Sequence, residues 1–563
     1  MRLEKIYIEG FRSIKEPLIL ELKGVNAIIG ANNTGKSNIL SALYKVLGRD
    51  WVTKNAFVEQ DVYKEEYDRD IKIDIAFEEP YNYEQYKGFN IEIPRIQFTY
   101  TRYKVGENKG ERRLEKKCLQ RDGKPVYVFK SRPKKGQQPQ MYPLTTVPQD
   151  VQQNLPVIYI SSSRNLKYHL PKSQYSLLGT IMEDINVDFE DPENKLVLNE
   201  GTENEEHVSR SEYFRYCINE AIKALTTKEF KELEKSIKNN ALQQLGFDPE
   251  IDGDKLDLFF NPLNSLEFYK SLEIFVNEYD YSVNATELGE GFQNAIVIAI
   301  LKAFEERKKK GALFLIEEPE MYLHPQMQRS LYKTIRKIGE TNQVIYITHS
   351  ANFVTIPYFD EIAIVSKNEN GTFAKQSSLN INDGLRNKFL KDLDSERNEL
   401  FFAKKVLIVE GDTEKMAFPY FAKRMGKDLD RVGTSIIEVG GKRNLIDYVE
   451  LALSFEIPVG VVYDTDSSDF AGKKDEEIEY NKSIESFLKK GVQVYSFNKN
   501  YENELREFYG DDLYQSYCMK YGRNKAQRAR LMAMDEEISI PDFVKSIIEW
   551  IVWVQSQDQT ITS

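Results

Sequence analysis

Four acids in the last third of the chain stand where a parallel sheet would deliver them to one place. The apolar run Lys405-Val406-Leu407-Ile408-Val409 ends in Glu410-Gly411-Asp412-Thr413-Glu414, and Pro458-Val459-Gly460-Val461-Val462-Tyr463 ends in Asp464-Thr465-Asp466. Read as strands, both runs discharge carboxylates at their carboxyl ends, where parallel sheets place ligand sites. Glu410 then occupies a strand tip and Glu414 the first turn of the next helix. Asp464 and Asp466, two apart, project to the same face. Carboxylates gathered in this way repel one another unless divalent cations neutralise them, and hard oxygen ligands suit Mg²⁺ or Mn²⁺. Two such ions about 3.5–4 Å apart activate water and stabilise the leaving oxygen in phosphodiester cleavage. Singly, E-G-D-x-E is also a helix cap and D-T-D a solvated turn. Their order, with Glu438-Val439-Gly440-Gly441-Lys442 on a strand end between them, favours the metal reading.

A second chemistry lies near the N-terminus. Gly30-Ala31-Asn32-Asn33-Thr34-Gly35-Lys36-Ser37 follows the apolar run Val25–Ile29 and precedes a helical pattern that ends at Gly48. This is G-x-x-x-x-G-K-[ST] in its required strand–turn–helix setting. Backbone N–H groups of Gly30, Asn33, Thr34 and Gly35 would cradle phosphates, Lys36 would reach the β- and γ-phosphates, and Ser37 would ligate Mg²⁺. The bound nucleotide is read as ATP. Ala312–Glu320 is a buried strand ending in acids; Glu317 would hold Mg²⁺ and Glu318 would polarise the attacking water. Val344–Ile347 leads to Thr348-His349, where His349 is placed to sense the γ-phosphate. A lone histidine at a strand tip is otherwise structural.

The elements that must position these groups imply an α/β protein. With 563 residues, 41% hydrophobic and 29% charged, the chain has the composition of a globular protein of several domains. The net charge of −12 gives no global basicity for nucleic acid. The basic stretch 95–145, with Arg102, Lys104, Lys109, Arg112, Arg113, Lys116, Lys117, Arg121, Lys124, Lys130, Arg132, Lys134 and Lys135 among aromatic residues, is either a DNA-backbone contact or a solvated hairpin. Cys118, Cys217 and Cys518 are too scattered for a disulfide framework or cysteine-based zinc site, which fits a reducing cytoplasm. Charges in Met1-Arg2-Leu3-Glu4-Lys5 leave no signal-peptide core, and no apolar run approaches the ~20 residues of a membrane span. Residues 3–22 read as a strand pair, 71–77 as a half-buried strand and 157–160 as a buried one. Gln60 reads as a surface residue rather than a metal-sensing one. From 166 to 280 helical spacing dominates, with strand signals only near Leu256–Phe260 and Leu272–Phe275. Ile538–Val554 reads as an apolar helix covering the edge of the C-terminal sheet.

Taken with Leu288-Gly289-Glu290-Gly291-Phe292-Gln293, the N-terminal motifs resemble the ABC-type ATPase heads of the SMC, RecF and OLD group. The C-terminal acids resemble the Toprim domain of topoisomerases, primases and OLD nucleases. The pair together resembles the OLD (overcoming lysogenisation defect) family, to which the Gabija nuclease and retron-associated effectors belong. This resemblance implies an ABC/SMC-like head in two parts, residues 1–165 and 281–395, split by a helical insertion, 166–280, that is a possible dimerisation arm. A Toprim Rossmann-like nuclease domain with a C-terminal helix follows at 396–563. It implies a metal-dependent DNA endonuclease in phage defence, with the ATPase head regulating it. Heads dimerise so that the signature loop, including Gly291, caps ATP on the other subunit; the whole would be a homodimer or tetramer, with a partner protein or RNA from a defence operon possible. Two further site residues follow: an acid after the fourth strand, Glu502 or alternatively Glu504, and Lys525 on a later helix, a fixed charge for the transition state. Glu290 departs from the signature pattern, which has a small hydroxyl residue there. A carboxylate facing a γ-phosphate is repulsive, so Glu290 points elsewhere or turnover is weak. The competing readings are a non-cleaving SMC- or RecF-like ATP-driven DNA clamp, and topoisomerase strand passage, for which no nucleophilic tyrosine can be placed.

Overall fold

The computed structural model describes residues 1–48, 52–132, 140–162, 166–171, 176–202, 205–244, 247–251, 264–278, 281–306, 311–379, 383–390, 396–465, 474–522 and 524–553. Two compact units are formed, one from Met1–Ser162 with Lys310–Ser563, the other from Ser163–Lys309.

The first unit starts with an antiparallel sheet. Strands β1 (Leu3–Glu9) and β2 (Leu18–Glu21) pair with each other, as their apolar alternation predicts. They are followed by β3 (Val25–Ile29), the helix α1 (Lys36–Leu47), and the long strands β4 (Ile71–Tyr86), β5 (Phe89–Arg102) and β6 (Arg112–Leu119), giving the order β2-β1-β4-β5-β6. Next come β7 (Val157–Ile160), β8 (Leu313–Glu317), α2 (Pro325–Thr341), β9 (Gln343–Ile347), β10 (Ile362–Asn368) and β11 (Gly371–Gln376). With β3 they make a second sheet in the order β11-β10-β3-β9-β8-β7, parallel except for the hairpin β10–β11. Its inner strands are mostly apolar because helices or the first sheet cover both faces, and β3 and β9 are buried at every position, Asn26 and Gln343 included.

Helix α1 lies between the sheets. Ile39, Leu40, Leu43, Val46 and Leu47 share one core with Ile6, Ile8, Ile73 and Ile75 of the first sheet and Leu313, Leu315, Ile345 and Ile347 of the second. Asp61 braces this layer. It is 2% exposed and takes the Arg12 Nε–H at 3.0 Å, the Lys45 ammonium at 3.0 Å and the Val58 N–H at 3.0 Å. Removing one partner of such a buried set leaves cations and an amide without their acceptor. Asp61→Ala is therefore expected to destabilise the protein by about 3 kcal/mol, measurable as a lowered midpoint in urea. A midpoint unchanged from wild type would show that water replaces the carboxylate. Gln60, beside it, is exposed.

About half of the basic side chains in β5, β6 and the following turn are ion-paired within the protein. Arg102 and Arg112 both grip Glu59, Arg113 and Lys117 hold Glu115, Arg121 holds Glu4, and Lys124 holds Asp122. This favours a strand-borne ion-pair network over a phosphate-binding face; Lys134 and Lys135 lie outside the described residues.

The C-terminal part of the same unit is a four-stranded, all-parallel sheet. Its elements are β12 (Lys405–Val409), α3 (Asp412–Arg424), β13 (Thr434–Glu438), α4 (Lys442–Ser454), β14 (Val459–Asp464), β15 (Gln493–Phe497), α5 (Tyr501–Tyr509), α6 (Lys525–Met534) and α7 (Asp542–Val552). The strand order is β13-β12-β14-β15. Helix α7 starts at Asp542, with Pro541 as its cap. It crosses the face of the inner strands rather than their edge: a Cβ on Gly460 of β14 would lie 2.5 Å from the Trp550 ring, so only glycine admits that ring. Among the described residues no helix is long and apolar enough to cross a membrane.

The second unit, Ser163–Lys309, carries helices Leu177–Glu190, Arg210–Leu225, Lys228–Gln244, Ser265–Lys270 and Glu290–Glu306. Edge-to-face pairs Phe189–Phe214 and Phe214–Phe268, at 5.8 and 5.3 Å, join Leu177–Glu190, Arg210–Leu225 and Ser265–Lys270. Two hairpins lie between the helices, Lys195–Leu198 with Glu206–Ser209 and Phe275–Glu278 with Tyr281–Asn284. Leu256–Phe260 falls outside the described residues.

Candidate functional site

The phosphate loop leaves β3 at Gly30 and enters α1 at Gly35. Gly30 has φ 145° and its missing Cβ would stand 2.1 Å from the Val365 carbonyl oxygen. Gly35 has φ 98°, and a Cβ there would stand 2.3 Å from Thr372 Oγ1 and 2.5 Å from Ser13 Oγ. Both positions demand glycine for conformation and for space. Thr372 clamps the loop, its Oγ1–H donating to the Thr34 carbonyl at 2.7 Å while lying 2.8 Å from Ser13 Oγ. Thr34 Oγ1–H donates to the Ala31 carbonyl at 2.9 Å. Asn33, with φ 63°, and Ser37 are exposed at the helix N-terminus, where backbone N–H groups and the helix dipole attract anions. Lys36 is 6% exposed, and its ammonium donates to the carbonyls of Gly30 at 3.0 Å and Ala31 at 2.7 Å. Burial lowers its pKa, while Glu318 and Glu320 oppose that shift.

Strands β8 and β9 bring the remaining head residues to the same carboxyl edge. Glu317 ends β8 and takes the phenol proton of Tyr159 from neighbouring β7 as a hydrogen bond; burial first, then Glu317, pushes that phenol's pKa up. Glu318 has φ 45°, a left-handed conformation that turns its side chain out of the strand's alternation, toward Lys36 and His349, both of which feel its charge. His349 follows β9. Burial and the Lys36 cation lower its pKa, with Glu318 opposing, so it is neutral at pH 7. Glu320 joins the two tips, accepting the His349 N–H at 2.6 Å and the Thr348 hydroxyl at 2.8 Å. Lys36, Glu318 and His349 thus gather as the sequence predicts. Tyr159 and Glu320 were legible only as a strand residue and as the last acid of E-E-P-E. The signature loop belongs to the second unit, where Glu290, Gly291 and Phe292 are exposed at the start of helix Glu290–Glu306. Gln293 ties the loop down, donating to the Leu288 carbonyl at 2.8 Å.

The C-terminal sheet collects the acids. Glu410 follows β12, and its Oε2 accepts the Asp464 N–H at the end of β14 at 3.2 Å. Glu414, in the first turn of α3, is 5% exposed. Burial first, then the charges of Glu410 and Glu502, push its pKa up to about 7. Glu502 opens α5 and pairs with Lys525, the first residue of α6, at 3.2 Å. Glu504 instead accepts the Asn498 N–H at 2.6 Å, so Glu502 is the acid that faces the cluster. Thr465 locks the tip of β14 to β15, its Oγ1–H donating to the Phe497 carbonyl at 2.9 Å and accepting the Lys499 N–H at 2.9 Å. No role for Thr465 was readable from D-T-D alone. Asp466 lies outside the described residues. Among the described residues no three acids stand close enough to hold a metal ion as placed. The donor set nonetheless fits a hard divalent cation: all are carboxylates, and one is buried where its charged form needs a counter-charge.

Glu414 sets a pH signature. A carboxyl whose pKa is raised by folding, from 4.5 to about 7, adds stability below 4.5 that is lost as pH rises through 7. Metal-free protein should lose about 3 kcal/mol on this account. Glu414→Gln should therefore raise the melting temperature in EDTA at pH 8, and abolish any rise caused by Mg²⁺. A lowered melting temperature in EDTA would contradict the burial argument.

Comparison with known proteins agrees with this division. Residues 1–354 match the model of the AAA ATPase domain family, and residues 401–466 match the Toprim domain of overcoming lysogenization defect protein-like proteins. The OLD nuclease of Thermus scotoductus is 29% identical over 84% of this chain and 84% of its own. The Old nuclease of Escherichia phage P2 is 29% identical over 36% of this chain and 37% of its own; the endonuclease GajA of Bacillus cereus is 23% identical over 50% and 48%. Among solved structures, the Smc head domain of Pyrococcus furiosus, with an extended coiled coil and the C-terminal domain of ScpA, is similar at 15% identity over 70% of this chain and 99% of that one. Its TM-score of 0.37 is too slight to argue from. With an AAA ATPase domain over most of its length and an OLD-like Toprim domain behind it, the chain belongs to the OLD family.

Proposed function

We propose that the protein is an ATP-binding, divalent-metal-dependent DNA endonuclease whose ATPase head regulates a Toprim phosphodiesterase site, acting in the cytoplasm in anti-phage defence. The observation that carries this reading is the gathering of Glu410, Glu414, Asp464, Glu502 and Lys525 at one carboxyl edge of a parallel sheet. Glu410, Glu414, Asp464 and Asp466 would hold Mg²⁺ or Mn²⁺, which supplies an activated water and charge neutralisation at the scissile phosphate. Lys525, steadied by Glu502, presents a fixed positive charge to the phosphate oxygens as their negative charge grows. Glu410 and Asp464 are held relative to one another by the hydrogen bond across the strand tips, which limits how far these two must move when metal and DNA bind.

In the head, Lys36, Ser37 and the loop amides would bind ATP–Mg²⁺ with Glu317, while Glu318 and His349 act on the water and γ-phosphate. The exposed Gly291 and Glu290 support a head-to-head homodimer, or a tetramer built from it, in which this loop meets the other subunit's ATP. Glu290 would slow hydrolysis by repulsion. A partner protein or RNA from the same defence operon fits the family's habit.

Incubating pure protein with supercoiled plasmid, with and without Mg²⁺, Mn²⁺ and ATP, tests the reading. Nicked or linear product that needs metal is expected. Relaxed closed circles would indicate strand passage, and shifted but intact DNA a clamp; either would overturn it.

A further inference from the structure

Three consecutive residues stand between the ATPase sensor loop and the Toprim acids. Asn398, 5% exposed, donates its Nδ2–H to the Ala351 carbonyl at 3.1 Å and accepts the Ile356 N–H at 3.2 Å. It therefore grips both ends of the segment that follows His349, whose own N–H is fixed by Glu320 at 2.6 Å. Arg397 donates Nη2–H to Glu438 at the tip of β13, at 3.1 Å. The other oxygen of Glu438 accepts the Gly440 N–H, and the Gly441 N–H donates to the Glu410 carbonyl at 2.9 Å. The fit is close: a Cβ on Gly440 would lie 3.3 Å from the same Arg397 nitrogen. Glu396 pairs with Lys415, next to Glu414 in the first turn of α3.

We propose that Glu396-Arg397-Asn398 is the coupling element through which the nucleotide state of the head sets the geometry of the Toprim acids. The proposal rests on the reading above of which site binds ATP and which cuts. Arg397–Phe401 is a single 3-10 turn capped by Glu396, so these residues cannot shift independently. A movement of Ala351, two residues from His349, is carried by Asn398 into that turn. From there Arg397 carries it to the Glu438–Gly441 turn under Glu410, and Glu396 carries it to the helix turn bearing Glu414. The structure also has a second seam, Lys375 with Glu456 at 2.6 Å and Ser377 with Ser454 at 2.8 Å, but it meets the end of α4 remote from the acids. Arg397 and Asn398 act here as positioning residues. Coupling of this kind must be reciprocal and is shown only by loss of the response, not by contiguity.

The test is hydrogen exchange of peptides covering residues 436–446, with and without Mg²⁺–ATP, run beside plasmid nicking. In the wild type, ATP is expected to change exchange at the Glu438–Gly441 turn and to alter the nicking rate, in either direction, by roughly fivefold or more. In Asn398→Ala both responses should vanish, with ATP affinity and ATP-free nicking close to wild type. If Asn398→Ala does not fold, the isosteric Asn398→Asp, which lacks the donor to Ala351, decides in its place. Responses that persist in the folded variant overturn the proposal, as does a wild-type turn whose exchange ignores ATP. If the wild type shows the exchange response and loses it on substitution but never nicks DNA, the coupling stands and the nuclease reading falls.

Discussion

Glu410→Ala and Asp464→Asn are each expected to reduce metal-dependent plasmid nicking by about 10³-fold or more, with ATP binding unchanged. The size follows from what each removes. Glu410 supplies one carboxylate to the cluster and also accepts the Asp464 N–H, so its loss takes away a ligand and loosens a second one. Asp464→Asn keeps shape but removes a negative charge that neutral amide oxygen does not replace for a hard cation. Several kcal/mol of charge stabilisation in the reacting state are at stake, and about 4 kcal/mol corresponds to 10³ in rate. The discriminating control is Glu504→Gln. That acid is engaged by the Asn498 N–H, so nicking should stay close to wild type. A loss as large as that of Glu410→Ala would mean that the fourth-strand acid is misassigned.

The second large effect is expected at Lys36. Its ammonium rests on the Gly30 and Ala31 carbonyls at the mouth of the loop, ready to exchange them for phosphate oxygens. Charge-assisted hydrogen bonds to phosphate contribute about 1.5–3 kcal/mol each, and the Lys36 ammonium has the donors to make more than one. Lys36→Ala should weaken ATP binding by about 10²-fold or more, read by equilibrium binding of a labelled nucleotide. The melting profile without nucleotide should shift little, because the Gly30 and Ala31 carbonyls lie at the open mouth of the loop, where water can replace the ammonium. Wild-type affinity in this variant would remove the loop from the account of nucleotide binding.

Much of this was legible in the chain because strand tips of parallel sheets leave a plain pattern. Apolar runs that end abruptly in acids, in the glycine-rich loop or in Thr348-His349 announce β3, β8, β9, β12 and β14 together with the residues that they carry. What could not be read depended on partners far apart in sequence. Asp61 pairs with Arg12, and Thr372 clamps a loop more than three hundred residues away; neither spacing has a periodic signature. The partners of the basic run in β5 and β6 are hidden for the same reason, since Glu59 and Glu4, which neutralise part of it, lie outside it. The choice between Glu502 and Glu504 needed the first turn of α5 in three dimensions. Of the two hairpins in the second unit, the signal near Leu272–Phe275 marks only the start of one, and the other, four residues a side, is too short for alternation to register. Helix α7 was placed on an edge because Gly460, which seats Trp550 on the sheet's face, looked like any small strand residue.

The central claim is that ATP regulates and the Toprim acids cut. It is tested most directly by the initial nicking rate of Lys36→Ala on supercoiled plasmid in Mn²⁺, with and without ATP, beside the wild type and Glu410→Ala. The account predicts that Lys36→Ala nicks at one rate whether or not ATP is present, equal to that of the wild type without ATP, and that Glu410→Ala does not nick under any condition. Nicking by Glu410→Ala, or loss of the ATP-independent rate in Lys36→Ala, would contradict it.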